Sequence, residues 1–380
     1  MARRCIGNAI VWAAPGRHIL AALLGCAVLA APVLAARVPA GAVTAAQTGA
    51  AGPQWAWQLL HPPESPTPRA DAPMAYDAET HQLLLFGGEG NFKLRCSGLF
   101  CSGTTVVGEA NDTWSWEGRS WVQLQANSPY GSASQPGDRM DASMAYDARS
   151  RQLLLFGGFG PMPPQGGTWA WDGKVWLQLH PAASPPDLMG ASMAYDPRTG
   201  QLLLFGGQLD NVASGKTWVW TGTDWSQLHP VRSPSARCDA PMAYDARTGQ
   251  LVLFGGSNNN RNWSGSDETW TWDGKDWAEL SAGETSTNAP LVSVGLSTMA
   301  YDPSGGKLLL VSEEPITNSL SPPDGLYAWD GTTWSAVAGS SRLPSLILPS
   351  MVYDPVTTQL LLFGGALPGR YFGETWSYRQ

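Results

Sequence analysis

Apolar and polar positions along the chain follow one block that recurs six times. The block opens with Met-Ala-Tyr-Asp at Met74, Met144, Met193, Met242 and Met299, and with Met-Val-Tyr-Asp at Met351, at intervals of 70, 49, 49, 57 and 52 residues. Seven residues after each Tyr comes an apolar run, for example Leu83-Leu84-Leu85-Phe86 or Leu202-Leu203-Leu204-Phe205. Gly-Gly ends this run in five copies, and the fifth copy has Ser312-Glu313 instead. Thr-Trp-x-Trp then follows in four copies, with Leu326-Tyr327-Ala328-Trp329 and Thr375-Trp376-Ser377-Tyr378 as the variants. A further Trp lies seven residues after the first aromatic: Trp121, Trp176, Trp225, Trp277 and Trp334.

Each block reads as four short strands. Strand A is the alternating Met-x-Tyr segment. Its Asp (Asp77, Asp147, Asp196, Asp245, Asp302 and Asp354) is placed to cap backbone N–H groups in the turn that follows. Strand B is continuously apolar, as a strand covered on both faces must be. Gly-Gly supplies positive φ at its end. Strand C is the Thr-Trp-x-Trp segment. An Asp-Gly turn such as Asp172-Gly173 or Asp273-Gly274 leads to strand D, Trp-x-x-Leu.

The sixth block stops at Gln380, directly after strand C. The missing strand lies at the other end of the repeat region. Trp57-Gln58-Leu59-Leu60-His61-Pro62 matches Trp176-Leu177-Gln178-Leu179-His180-Pro181 and precedes the first Met-Ala-Tyr-Asp. The expectation is an all-β, six-bladed propeller of four antiparallel strands per blade. Its ring is closed by the N-terminal strand pairing with the C-terminal blade, which removes two open sheet edges. The blades are expected at about 66–125, 136–180, 186–229, 235–281, 292–338, and 346–380 plus 55–61.

The paired glycines, the strand C aromatic and the Trp seven residues later resemble the kelch repeat over about residues 53–380. The resemblance implies strand A nearest a central channel, with A–B and C–D turns on one face and B–C and D–A loops on the other. Kelch proteins include binding modules, carbohydrate oxidases and sugar epimerases or mutarotases, so the resemblance leaves function open. The Cys-modified Tyr and His copper ligands of the oxidases do not map onto this chain.

Outside the repeat, residues 1–42 carry a basic start (Arg3, Arg4, Arg17) and an apolar run from Ile19 to Ala36. They read as a signal peptide, with an N-terminal membrane anchor as the alternative, and 43–52 as a linker. A secreted, periplasmic or cell-surface monomer is expected. These 42 residues hold four of the 23 basic residues and none of the 31 acidic ones, so the remainder carries 19 against 31, a net charge of −12. That balance disfavours nucleic acid and anionic membrane as partners. Cys96 and Cys101, in one Gly/Ser-rich insertion, are expected to form a disulfide, leaving Cys238 over.

Sixteen of the 19 Trp fall on repeat positions, so the Trp content is mainly scaffold. Trp263 does not. It follows Asn-rich sequence and Arg261 in the fourth B–C loop, and the pair is a candidate for stacking on a sugar or peptide. A second candidate is Arg-x-Asp before strand A: Arg69/Asp71, Arg139/Asp141 and Arg237/Asp239. The corresponding pairs in the other blades are Leu188/Gly190, Val294/Leu296 and Leu346/Leu348. Such a mouth is part charged and part apolar. The competing reading is that these charges order the D–A loops.

No metal, cofactor or nucleophile motif emerges. His61, His180 and His229 share one repeat position on three blades, so they are not expected to converge. No Gly-x-Ser-x-Gly is present, and Gly-Gly opens no helix. The leading expectation is a non-catalytic exported module recognising a glycan, peptide or surface partner through the B–C/D–A face. The rival is a sugar-modifying enzyme of epimerase, mutarotase or lyase type with Arg and Asp at the channel mouth. A structural envelope protein is the third reading.

Overall fold

The structure is a computed structural model. It describes residues 56–93, 105–128, 131–160, 167–257, 266–280, 297–312, 325–337, 343–344, 346–367 and 369–379. The leader, Cys96, Cys101, Arg261 and Trp263 lie outside the described residues.

Six sheets of four antiparallel strands form the propeller, each running A-B-C-D outward. In blade 2 these are Ser143–Asp147, Gln152–Phe156, Thr168–Trp171 and Trp176–Leu179. In blade 1 the B and C strands run on as a ribbon, Gln82–Lys93 against Thr105–Trp116, with a bulge between Phe86 and Gly88. Strand A of each blade neighbours strand A of the next, and the series closes from Ser350–Asp354 of blade 6 back to Met74–Asp77 of blade 1. The expected closure is present. Ala56–Leu60 pairs with Thr375–Arg379 as the outer strand of blade 6, with Trp57 opposite Tyr378 and Leu60 opposite Thr375.

The turn chemistry is uniform. In every blade the Asp at the end of strand A accepts an N–H two residues on, from Glu79 to Asp77 at 3.0 Å through to Val356 to Asp354 at 2.9 Å. In five blades the second oxygen accepts a Ser or Thr hydroxyl three residues on (Thr80, Ser150, Thr199, Thr248 and Thr357). Blade 5 has Gly305 there, which offers only its N–H, and burial holds the Asp302 carboxyl above its ordinary range.

The blades are joined by the Trp that opens strand D. Its indole enters the core of the preceding blade, where Nε1 donates to the Thr that opens strand C. The bonds are Trp121 to Thr375 at 2.9 Å, Trp176 to Thr113 at 3.0 Å, Trp225 to Thr168 at 2.9 Å, Trp277 to Thr217 at 3.0 Å and Trp334 to Thr269 at 3.1 Å. The Phe ending the preceding strand B packs at an angle on the same indole in all five cases, with centroids 5.2–5.6 Å apart. The sixth junction differs because blade 5 has lost both partners. Val311 stands for the Phe and Leu326 for the Thr. Trp57 therefore docks into a wholly apolar socket with Leu309, Val311 and Leu326, and its buried Nε1 has no acceptor.

An isosteric Thr217→Val should strand the Trp277 donor in the same way. The expected loss in urea unfolding is about 1–3 kcal/mol, the cost of an unsatisfied buried group. A loss near zero would show that the Trp–Thr bond adds nothing beyond packing.

Candidate functional site

The six A strands begin around a central cavity of about 230 Å³. Position by position, its upper ring is Asp71, Asp141, Gly190, Asp239 and Leu348 on blades 1, 2, 3, 4 and 6. All five have left-handed backbones, with φ of 55°, 54°, 62°, 55° and 54°. Asp tolerates this conformation better than most residues, whereas Leu does not. The ring is held by backbone bonds between blades: Asp71 N–H to Leu348 O at 3.2 Å, Gly190 N–H to Asp141 O at 2.9 Å and Asp239 N–H to Gly190 O at 2.8 Å. Gly190 has a second reason to be glycine. A Cβ there would fall 2.1 Å from Asp239 Oδ1, so the Asp239 carboxylate leans across the blade 3 position.

Two residues further along each chain segment is a layer of inter-blade hydroxyl bonds. Ser143 Oγ donates to Ala191 O at 2.5 Å, and Ser192 Oγ and Ser350 Oγ donate to Ala240 O and Ala72 O. Blades 1 and 4 have Pro73 and Pro241 at this position and offer no hydroxyl to the following blade. Methionines from all six blades line the cavity below. They also pack into the inter-blade cores.

The two halves of Arg-x-Asp part company here. The Asp side lines the cavity, and the Arg side is built into the wall. Arg69, Arg139 and Arg237 are 1%, 2% and 2% exposed. Each Nη1 donates to the carbonyl of the first Gly of its own blade's Gly-Gly: Gly87 at 2.9 Å, Gly157 at 3.0 Å and Gly255 at 2.8 Å. Each Nε donates to the carbonyl two residues back. Arg69 also pairs with both oxygens of Asp112, and Arg237 with Glu268, at the entry to strand C. Leu188 and Leu346 fill the same wall position in blades 3 and 6 and are equally buried. The loop-ordering reading therefore describes the arginines, and the channel-mouth reading describes Asp71, Asp141 and Asp239.

Cys238 is buried between these two positions, with Sγ 3.6 Å from the Ser257 carbonyl oxygen, and it has further contacts. It does not line the cavity. His61, His180 and His229 are exposed at the ends of outer strands. Among the described residues, no three of His, Cys, Asp and Glu are placed to hold a metal ion.

One titratable group could not be found by motif. Asp138 immediately precedes Arg139 and lies near the blade 1 ribbon. Its carboxyl is pushed up to about 7 by burial first, then by the charges of Glu109 and Asp112, with Arg139 opposing. Glu109 stands directly opposite Glu89 across the ribbon, which concentrates like charge there. A carboxyl that titrates near neutrality is a competent proton donor or acceptor. Asp138 does not line the central cavity, so it is not placed to serve that site.

No family model matches the chain, and no curated protein matches it.

Because folding raises the Asp138 pKa, the native state favours the protonated form. The stability this contributes is full below about pH 4 and is lost as pH rises through about 7. Asp138→Asn should therefore raise the urea midpoint over the parent at pH 8, with the difference closing towards pH 4. A pH-independent difference would contradict the assignment.

Proposed function

We propose that this chain is an exported, kelch-type propeller acting as a non-catalytic binding module, and that its central cavity receives one small group of a larger partner. The observation that carries the reading is the broken symmetry of the cavity ring. The ring position is Asp in blades 1, 2 and 4, Gly in blade 3 and Leu in blade 6. Three carboxylates of one sign thus gather on one part of the mouth. The cavity, about 230 Å³, is smaller than the roughly 300–1,000 Å³ typical of drug-sized ligands. It suits one side chain or one sugar ring rather than an extended chain. Trp263 and Arg261, on the fourth B–C loop, are proposed to add contacts outside the cavity.

The enzyme reading placed arginines beside acids at this mouth. With the guanidinium groups engaged in the wall, the cavity has carboxylates but, among the described residues, no basic side chain lining it. That favours binding over the Arg-assisted chemistry expected of a lyase or epimerase.

A glycan and peptide array with the full-length chain, repeated with Asp141→Asn and Trp263→Ala, tests the reading. A hit should weaken in Asp141→Asn and fall more modestly in Trp263→Ala. Hits unchanged in both variants would remove the cavity from the function.

A further inference from the structure

Below the carboxylate and hydroxyl layers, the cavity has a third layer made of one residue type. Met74, Met144, Met193, Met242, Met299 and Met351 stand at the same repeat position, and all line the cavity. They are six of the chain's ten methionines. The strand B runs beside them use Leu, Val and Phe and never Met. Leu fills a buried position in nearly the same volume as Met. An unbranched thioether at all six places is therefore a property of this wall, not of the fold's apolar positions in general.

A thioether is the one group in this wall that a mild oxidant attacks. Its sulfur lone pair takes an oxygen atom from hydrogen peroxide. The O–O bond breaks, the sulfur is oxidised to the sulfoxide, and the peroxide is reduced to water. A cavity of about 230 Å³ admits hydrogen peroxide, which is little larger than water. Met74 is half-buried, and the other five are 6–9% exposed. The product is polar and lies at an apolar seam between two blades. Met144 shares its cluster with Ala75, Leu84 and Leu155, and Met351 shares its cluster with Ala300, Leu309 and Leu362. None of these side chains can donate to a sulfoxide oxygen. The oxygen is then buried at a cost unless the side chain leaves the seam. Each blade contributes one such position, so the whole ring responds.

We propose that the methionine ring is a peroxide-sensitive modification site. Oxidation of its thioethers to sulfoxides loosens the seams between blades at the cavity wall. Reduction by a methionine sulfoxide reductase restores them, with a dithiol as reductant that leaves as a disulfide and water. The proposal needs only the cavity and the seams, and it stands whether or not the cavity receives a partner.

The test treats the full-length chain with dilute hydrogen peroxide and reads it by peptide mass spectrometry and thermal unfolding. Met140 and Met189 are internal controls, because they are 2% and 8% exposed and do not line the cavity. The six cavity methionines should each gain one oxygen atom before these two, with Met74 first. The oxidised chain should unfold about 4 °C or more below the parent, the shift expected when buried polar groups lack partners. Reductase with dithiol should restore both mass and midpoint, and dithiol alone should not. The sixfold Met→Leu variant should unfold near the parent temperature and ignore peroxide. If that variant does not fold, Met74→Leu and Met351→Leu should each remove part of the shift. Oxidation of Met140 and Met189 ahead of the cavity methionines overturns the proposal. So does full oxidation of the six with an unchanged midpoint, or an undiminished shift in the Leu variants.

Discussion

Everything in this propeller depends on the indole that each outer strand drives into the blade before it. The Trp at the start of strand D sits beside the Trp that ends strand C in its own blade, 5.2–5.4 Å away in five blades. It reaches across the seam to a Phe and a Thr of the preceding blade. One residue thereby fills the gap between two twisted sheets and satisfies its only polar atom on the far side. Burying a Trp supplies large apolar area, and the Thr oxygen spares the N–H a desolvation cost of about 1–3 kcal/mol. At the one junction where blade 5 lacks both partners, Trp57 is 1% exposed and relies on packing alone. That junction is also where the N-terminal strand closes the ring, so closure rests on an apolar contact and five paired residues.

The same economy governs the centre. A six-fold ring brings six chain segments close together, and their backbone groups must be paired. The left-handed residues turn those groups toward the neighbouring blade, and the wall arginines take the Gly-Gly carbonyls. Buried guanidinium groups are stable here because several acceptors surround each one; a buried charge without such partners costs far more. Burial still lowers the Arg139 pKa to about 10, which keeps it charged at neutral pH. Once the ring is satisfied internally, what remains toward the cavity is the side-chain layer that the repeat does not fix. The proposed binding function draws on that layer.

Much of the architecture was legible in the sequence because repeat spacing, turn residues and the displaced Trp57–Leu60 segment are local signals. The Asp at the end of strand A caps its turn because the required N–H lies two residues away. The fate of Arg-x-Asp was not legible. In regular extended backbone, residues two apart face the same side, so Arg69 and Asp71 read as one charged pair. The left-handed backbone at Asp71, Asp141 and Asp239 breaks that relation and sends the two side chains to different places. Asp138 was hidden for another reason. Its neighbours Glu109 and Asp112 belong to another blade, and no spacing rule connects a loop to a ribbon of the preceding repeat. The empty place beside Trp57 was visible as Leu326 in the repeat, but only the assembled ring shows that the two residues meet.

Ring closure by Ala56–Leu60 is the central claim, and deleting residues 1–60 tests it most directly. The truncated chain would expose the edge of Thr375–Arg379 and empty the socket formed by Leu309, Val311 and Leu326. Sedimentation and thermal unfolding of the two chains should then show self-association and a clearly lower unfolding midpoint for the truncated one. A monomeric truncated chain that unfolds at the parent temperature would contradict the account.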